Sequence, residues 1–194
     1  MNDHKCFWEI QGWRIHKSSF FSLNPKESNA NSFSRFRSIS LCNSSYKIIT
    51  NILENRIKVL LLEIISENQG GFVPKRQILD NILIVQEALH SSLMKKEKGM
   101  IVKLDMANAF DRVNLVLLLA ILQRFVFSKK AIDIIKACIV GPRIATLVNG
   151  RPSEYFQSSR VLRQGFPFSP FLYIIMADSL SRSLKRCRQE RTIT

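Results

Sequence analysis

The chain has 194 residues, 46% of them hydrophobic and 23% charged, with 13 Phe, 7 Gly and 6 Pro, which is enough apolar material for one packed domain and excludes a disordered or collagen-like chain. Lys and Arg number 29 against 15 Asp and Glu, a formal net charge of +14 that suits a polyanionic partner such as nucleic acid or an anionic membrane surface, or a merely basic, soluble protein, alternatives that charge by itself leaves open. Apolar runs such as 115–122 are far shorter than the roughly 18 residues of a membrane-crossing helix, so no membrane partner is expected.

Residues 1–14 have no clear period and stay unassigned, and they contain no apolar core of a secretory signal. Cys6, Cys42, Cys138 and Cys187 are scattered, with no C-x-x-C pair. That spacing argues against a disulfide framework or zinc ribbon, so a reducing, intracellular setting, nuclear or cytoplasmic, is the expectation, and the three histidines join no metal-ligand motif. Residues 18–23 suggest a short strand, and 24–34, rich in Asn, Ser and Pro, a loop.

Ile49, Leu53, Ile57, Leu60 and Ile64 recur at helical spacing and predict a helix over 46–64, capped by Ser44 or Ser45. Residues 67–75, with Gly70, Gly71 and Pro74, predict a loop. Ile78, Ile82, Val85, Leu89 and Leu93 then form the stripe of a second amphipathic helix over 77–95. Residues 100–105 read as a strand because of Ile101 and Val102, followed by helices over 108–125 and 129–140. Asn149-Gly150 between the strand-like runs 143–148 and 154–159 is a hairpin signal, 162–169 a loop, and 170–185 a helix with proline in its first turn. Helices with strands that do not alternate as βαβ units predict an α+β fold with an antiparallel or mixed sheet.

Three segments carry chemistry. In Lys103–Val113, K-L-D-M-A-N-A-F-D-R-V, Asp105 ends the expected strand, where a carboxylate could help hold Mg²⁺ together with substrate phosphates, or could simply cap the next helix. In R-Q-G-F-P-F-S-P, Gln164 offers an amide and Gly165 a close backbone approach, or the segment is an ordinary loop. Lys26 and Arg37, in loops before a helix, could clamp a triphosphate or be solvated surface charge.

Taken in order, N-P-K, F-R-S-I-S-L-C-N, N-Q-G-G-F-V-P-K-R-Q-I-L-D-N-I-L, K-L-D-M-A-N-A-F-D-R-V, L-V-N-G and L-R-Q-G-F-P-F-S-P resemble the reverse transcriptase of a non-long-terminal-repeat retrotransposon, of the long interspersed element type common in plant genomes. The resemblance runs from about residue 15 to 186, leaving 187–194 as a basic tail. It implies a helix-rich fingers and partial palm of a right-hand polymerase, acting on an RNA template, a DNA primer and dNTPs with Mg²⁺. Asp105 matches the first metal-binding aspartate. Phe110 matches the aromatic gate against a ribose 2′-OH, and Gln164 and Gly165 the loop that packs on the incoming nucleotide. Lys26 and Arg37 match cations on the triphosphate, and Gln69, Gly70, Phe72 and Arg76 the template-contacting segment.

The chain departs from the pattern at several positions. Phe166-Pro167-Phe168 stands for the usual Asp-Pro-Leu, Ser38 for Pro, and Lys75 for the Gly before Arg76. The tyrosine-alanine-aspartate-aspartate hairpin that completes the two-metal site does not occur in the sequence. The expectation is a truncated, inactive polymerase fragment or a non-catalytic basic nucleic-acid-binding remnant. An unrelated metal hydrolase fares worse, because no second metal-ligand cluster is visible.

Overall fold

The structure, a computed structural model, describes residues 18–96, 98–125, 127–140, 143–157 and 162–190. The reading of 1–14 lies outside them. Two strands open the described chain, β1 (Ser18–Pro25) and β2 (Phe36–Cys42). Helices α1 (Ser44–Ile64), α2 (Ile78–Met94), α3 (Leu115–Arg124) and α4 (Lys129–Ile139) follow. The hairpin β3 (Arg143–Val148) and β4 (Arg151–Pro152) leads to a long helix, α5 (Ser169–Gln189). The result is α+β, as the element pattern predicts.

The four strands form one mixed sheet in the order β2-β1-β3-β4. β1 runs antiparallel to β2 and parallel to β3, and β3 runs antiparallel to β4. Asn149 and Gly150 both take positive φ, 51° and 77°, the backbone of a two-residue primed turn. The second hairpin arm differs from the expected 154–159: β4 holds Arg151–Pro152, beyond which Ser153 N–H bonds the Thr146 carbonyl at 2.9 Å and Phe156 bridges back to Ile144. Residues 158–161 lie outside the described set.

The core is built on α1. Ile49, Leu53, Ile57 and Leu61 of its inner face pack with Leu118 and Leu122 of α3, Ile135 of α4, and Leu172 and Ile175 of α5. The stripe predicted for this helix is therefore its buried face, except Leu60, which is half-buried. The cap is Asn43, whose side chain accepts from Tyr46 N–H at 2.8 Å, rather than Ser44 or Ser45. At the other end of the chain α5 runs four residues past the predicted 185, its last turn carrying Arg186 and Arg188, cations that suit a helix C-terminus.

Three expectations are corrected. β2 is a strand, so Arg37 sits on a sheet edge and not in a loop. Residues 100–105 form no strand and are exposed throughout. An apolar run becomes a strand only where a neighbour satisfies its N–H and C=O groups, and no described strand runs beside it. The predicted helix over 108–125 is broken, with a 3-10 turn at Ala109–Arg112 and the α-helix starting at Leu115, capped by Asn114.

α2 has the expected periodicity, yet none of its residues is buried. Leu89 is 45% exposed whereas Leu53 is 0% exposed. Truncation should separate the two helices sharply. Leu53→Ala is expected to cost about 2–5 kcal/mol in urea unfolding, while Leu89→Ala should cost no more than about 0.5 kcal/mol. A Leu89→Ala loss comparable to that of Leu53→Ala would mean that α2 is packed in solution.

Candidate functional site

The first group of predicted residues meets at the open end of the β1–β2 pair. Lys26 follows β1, and its backbone N–H bonds the carbonyl of Arg35 at 2.8 Å, closing the hairpin. Its ammonium donates to the Ser34 carbonyl at 2.9 Å and to Asn108 Oδ1 at 3.3 Å. Arg37 faces Asn24 across the strand pair and is exposed.

Asn108 takes a left-handed conformation, φ 52°, which short amide side chains tolerate. That turn sets Phe110 and Asp111 into the 3-10 segment. Phe110 packs on Tyr173 of α5 with ring centroids 5.3 Å apart, and its carbonyl accepts from Leu162 N–H at 2.9 Å. Burial pushes the Asp111 carboxyl above its usual range, and the Lys26 charge nearby pulls it part of the way back. The ionised form of Asp111 therefore opposes folding at neutral pH, an opposition that fades as pH falls and the group takes up its proton.

From Leu162 the chain runs into Gln164-Gly165. The Gln164 carbonyl accepts from Ser40 N–H at 2.8 Å, so this loop is bridged in parallel to β2 at Ile39. Gly165 has φ 90°, and a Cβ there would lie 3.2 Å from the Ser40 carbonyl. Both the backbone angle and the tight approach favour glycine. Arg163 braces the loop from inside: it is 5% exposed, donates to Ser19 Oγ at 3.2 Å and lies 5.3 Å over the Phe166 ring.

Lys26, Phe110, Gln164 and Gly165 are thus joined through a run of contacts across the hairpin end, the 3-10 turn and the loop before α5, while Arg37 lies on the same hairpin opposite Asn24. Asn108, Tyr173 and Arg163 complete that run, and no spacing rule singles them out in the sequence. Asp105 is next to it. It is exposed, and its neighbour Met106 meets the Tyr173 hydroxyl through sulfur at 3.4 Å.

Gln69, Gly70, Phe72 and Arg76 form a second group, between α1 and α2. The Arg76 guanidinium donates to the carbonyls of Ser66 at 2.6 Å, Gln69 at 3.0 Å and Ile65 at 3.2 Å. It braces the loop by taking carbonyls at the end of α1. Gly70 is buried, with Asn81 Nδ2 and the Gln77 carbonyl 3.0 and 3.1 Å from where a Cβ would lie. Phe72 is 67% exposed. Lys75 takes φ 63°, so the position is one that suits the glycine expected there better than the lysine present.

Asp178 is fully buried in α5. It accepts from Ser66 N–H at 3.1 Å, from the Ser66 hydroxyl, and from Arg182 Nε at 2.7 Å. Arg182 also donates to the Ile64 carbonyl at 2.6 Å. This pair fastens α5 to the end of α1 and holds no position beside Asp105. Among the described residues no three His, Cys, Asp or Glu side chains converge as a metal-binding group. The donor set fits one carboxylate of a metal site and does not fit a two-ion centre. No described helix is long and apolar enough to cross a membrane.

Residues 24–193 match the family described as reverse transcriptase (RNA-dependent DNA polymerase). The chain is 29% identical over 157 residues to the uncharacterized 149 kDa protein of transposon TX1 from Xenopus laevis, covering 81% of this chain and 12% of that protein. It is 28% identical over 160 residues to the retrovirus-related Pol polyprotein of the type-2 retrotransposable element R2DM from Drosophila melanogaster, covering 82% of this chain and 15% of that protein. Its fold is similar to that of apo telomerase from Candida tropicalis truncated from the C-terminal domain, with TM-score 0.51, 16% identity, and coverage of 89% of this chain and 40% of the other. The chain spans a small fraction of the curated relatives it matches.

Proposed function

The chain belongs to the reverse transcriptase (RNA-dependent DNA polymerase) family, as a domain segment of retrotransposon type, and on that premise we propose that it supplies the nucleotide-gripping part of an RNA-templated DNA polymerase. The observation that carries this reading is the contact run from Lys26 through Asn108 and Phe110 to Gln164 and Ser40, which assembles residues more than a hundred positions apart. The finer source, a long interspersed element of plant type, rests on the motif resemblance alone. An intracellular, nuclear or cytoplasmic, location rests on the scattered cysteines and the absence of a signal-like apolar stretch in residues 1–14.

In this reading Lys26 and Arg37 take the triphosphate oxygens of a dNTP, Lys26 exchanging the Asn108 amide oxygen for phosphate. Phe110, held by Tyr173, presents an aromatic edge to C2′ of the sugar and disfavours a ribose hydroxyl. Gln164 and Gly165, tied to β2, back the base pair. In the second group Phe72 is the side chain open to a template base, and Gln69, Gly70 and Arg76 shape the loop that carries it. Divalent cations are the usual companions of this family's chemistry. Mg²⁺ would take Asp105 as one of its carboxylates, with substrate phosphates and groups from outside the 194 residues as the rest.

Nucleotide binding tests the grip without requiring turnover. Lys26→Ala and Arg37→Ala should each weaken binding of a fluorescent dNTP by roughly tenfold, the effect of one charge-assisted contact of about 1.5 kcal/mol. Asn108→Ala, which frees Lys26, should leave binding equal or tighter. Binding unaffected by either cation substitution would remove the triphosphate role.

A further inference from the structure

We infer that a cavity behind α5 is a second phosphate site, one that takes a nucleotide unit of single-stranded RNA. It has a volume of about 460 Å³ and lies between the C-terminal ends of α1 and α3 and the second half of α5. Its wall carries three guanidinium groups, Arg124, Arg182 and Arg186, against one carboxylate, Glu63. Phe110 packs on Tyr173 in the first turns of α5, whereas the cavity begins at Ser179, about 9 Å further along at 1.5 Å per residue. It is therefore separate from the Lys26–Gln164 run.

The charges are arranged at a cost. Arg182 and Arg186 are four residues apart on one helix face, a like-charge spacing, and of the two Arg182 alone pairs with a carboxylate among the described residues, Asp178 at 2.7 Å. Arg124 from α3 adds a third cation to the same wall. Arg182 commits its Nε to Asp178 and one further N–H to the Ile64 carbonyl, leaving three of its five donors. Arg124 and Arg186 make no ion pair among the described residues. An anion among them relieves the repulsion.

The rest of the wall indicates which anion. Guanidinium forks match the oxygens of a phosphate in bidentate fashion. Ser179 and Ser183 add hydroxyl donors, while Ile64, Ile121 and Phe125 give an apolar floor. A phosphodiester with an unpaired base satisfies both halves, charge on the arginines and a base on the floor, whereas a base in a duplex is not free to reach it. The net charge of +14 draws such a strand to the surface from a distance.

The test is fluorescence anisotropy of the 194-residue chain with a labelled single-stranded 12-mer RNA across a salt series. Arg124→Gln combined with Arg186→Gln should lower the slope of log affinity against log salt by about 1.4, at roughly 0.7 per lost contact on a single strand. Glu63→Gln, which removes the competing carboxylate, should tighten binding, a gain that general damage to the fold cannot mimic. Lys26→Ala serves as background: at an independent site its effect and that of the arginine pair should add. The proposal fails if the arginine variant leaves both affinity and slope unchanged. It fails equally if that variant abolishes binding of free pyrophosphate while RNA binding stays intact, which would assign the cavity to a small anion.

Discussion

Primer extension by the 194-residue chain on an RNA template is expected to give no detectable product in Mg²⁺ or Mn²⁺. Two-ion phosphoryl transfer needs carboxylates that hold cations about 3.5–4 Å apart. The described residues offer Asp105, exposed and alone, while Asp111 lies by Lys26 and Asp178 is buried between Ser66 and Arg182. Charge stabilisation is the main catalytic contribution in this chemistry, and removing even one preorganised group typically costs about 10²–10³ in rate. Losing most of a two-ion centre should exceed that. In a longer protein that adds the missing carboxylates, Asp105→Ala should then abolish extension. Product from the 194-residue chain that disappears in Asp105→Ala would overturn the expectation of inactivity; product equal in both would indicate a contaminating polymerase.

A large stability effect is expected at Asp178. Replacing it with Ala leaves Ser66 N–H and hydroxyl without their acceptor in a part-buried place and releases Arg182 from its ion pair. Losing a buried charged acceptor costs about 3–5 kcal/mol when its partners are stranded, and about half of Arg182 remains in water, which places the loss near the lower end. The urea midpoint should fall accordingly, and Asp178→Asn should recover part of the loss by keeping one acceptor oxygen. A change below about 1 kcal/mol would mean that α5 is held to α1 by its apolar face alone.

What was legible in the sequence was local. The spacing of Ile49, Leu53 and Ile57 gives both the helix and its buried face, because enough neighbouring helices exist to cover it. The same spacing in Ile82, Val85 and Leu89 gives a helix but not its burial: periodicity shows that a face exists, and only tertiary structure says what meets it. The Asn149-Gly150 turn is legible because its positive φ angles demand those residue types. β2 is hidden because small polar residues take its inner positions, Ser40 being buried and bonded to Cys42 Sγ at 3.4 Å. The site is legible as a set of motifs, and what joins them is not. Asn108 meets Lys26 through a left-handed turn, and the buried Arg163 bonds Ser19, which is distant in the chain.

The parallel pairing of β1 with β3 has a consequence for how the molecule comes into being. Ser18 must find Arg143, and Phe20 must find Ala145. During synthesis at about 5–20 residues per second, the β1–β2 hairpin emerges and then waits roughly 5–20 seconds for its other neighbour. Through that interval β1 has one open edge, able to pair with any other extended segment on a crowded ribosome array. Local helices form within microseconds, so the late closure of this sheet is the step at which newborn chains are most exposed to one another. Translation speed between Cys42 and Arg143 therefore becomes a determinant of yield, and a slower-translating messenger should give less soluble protein from an identical amino-acid sequence.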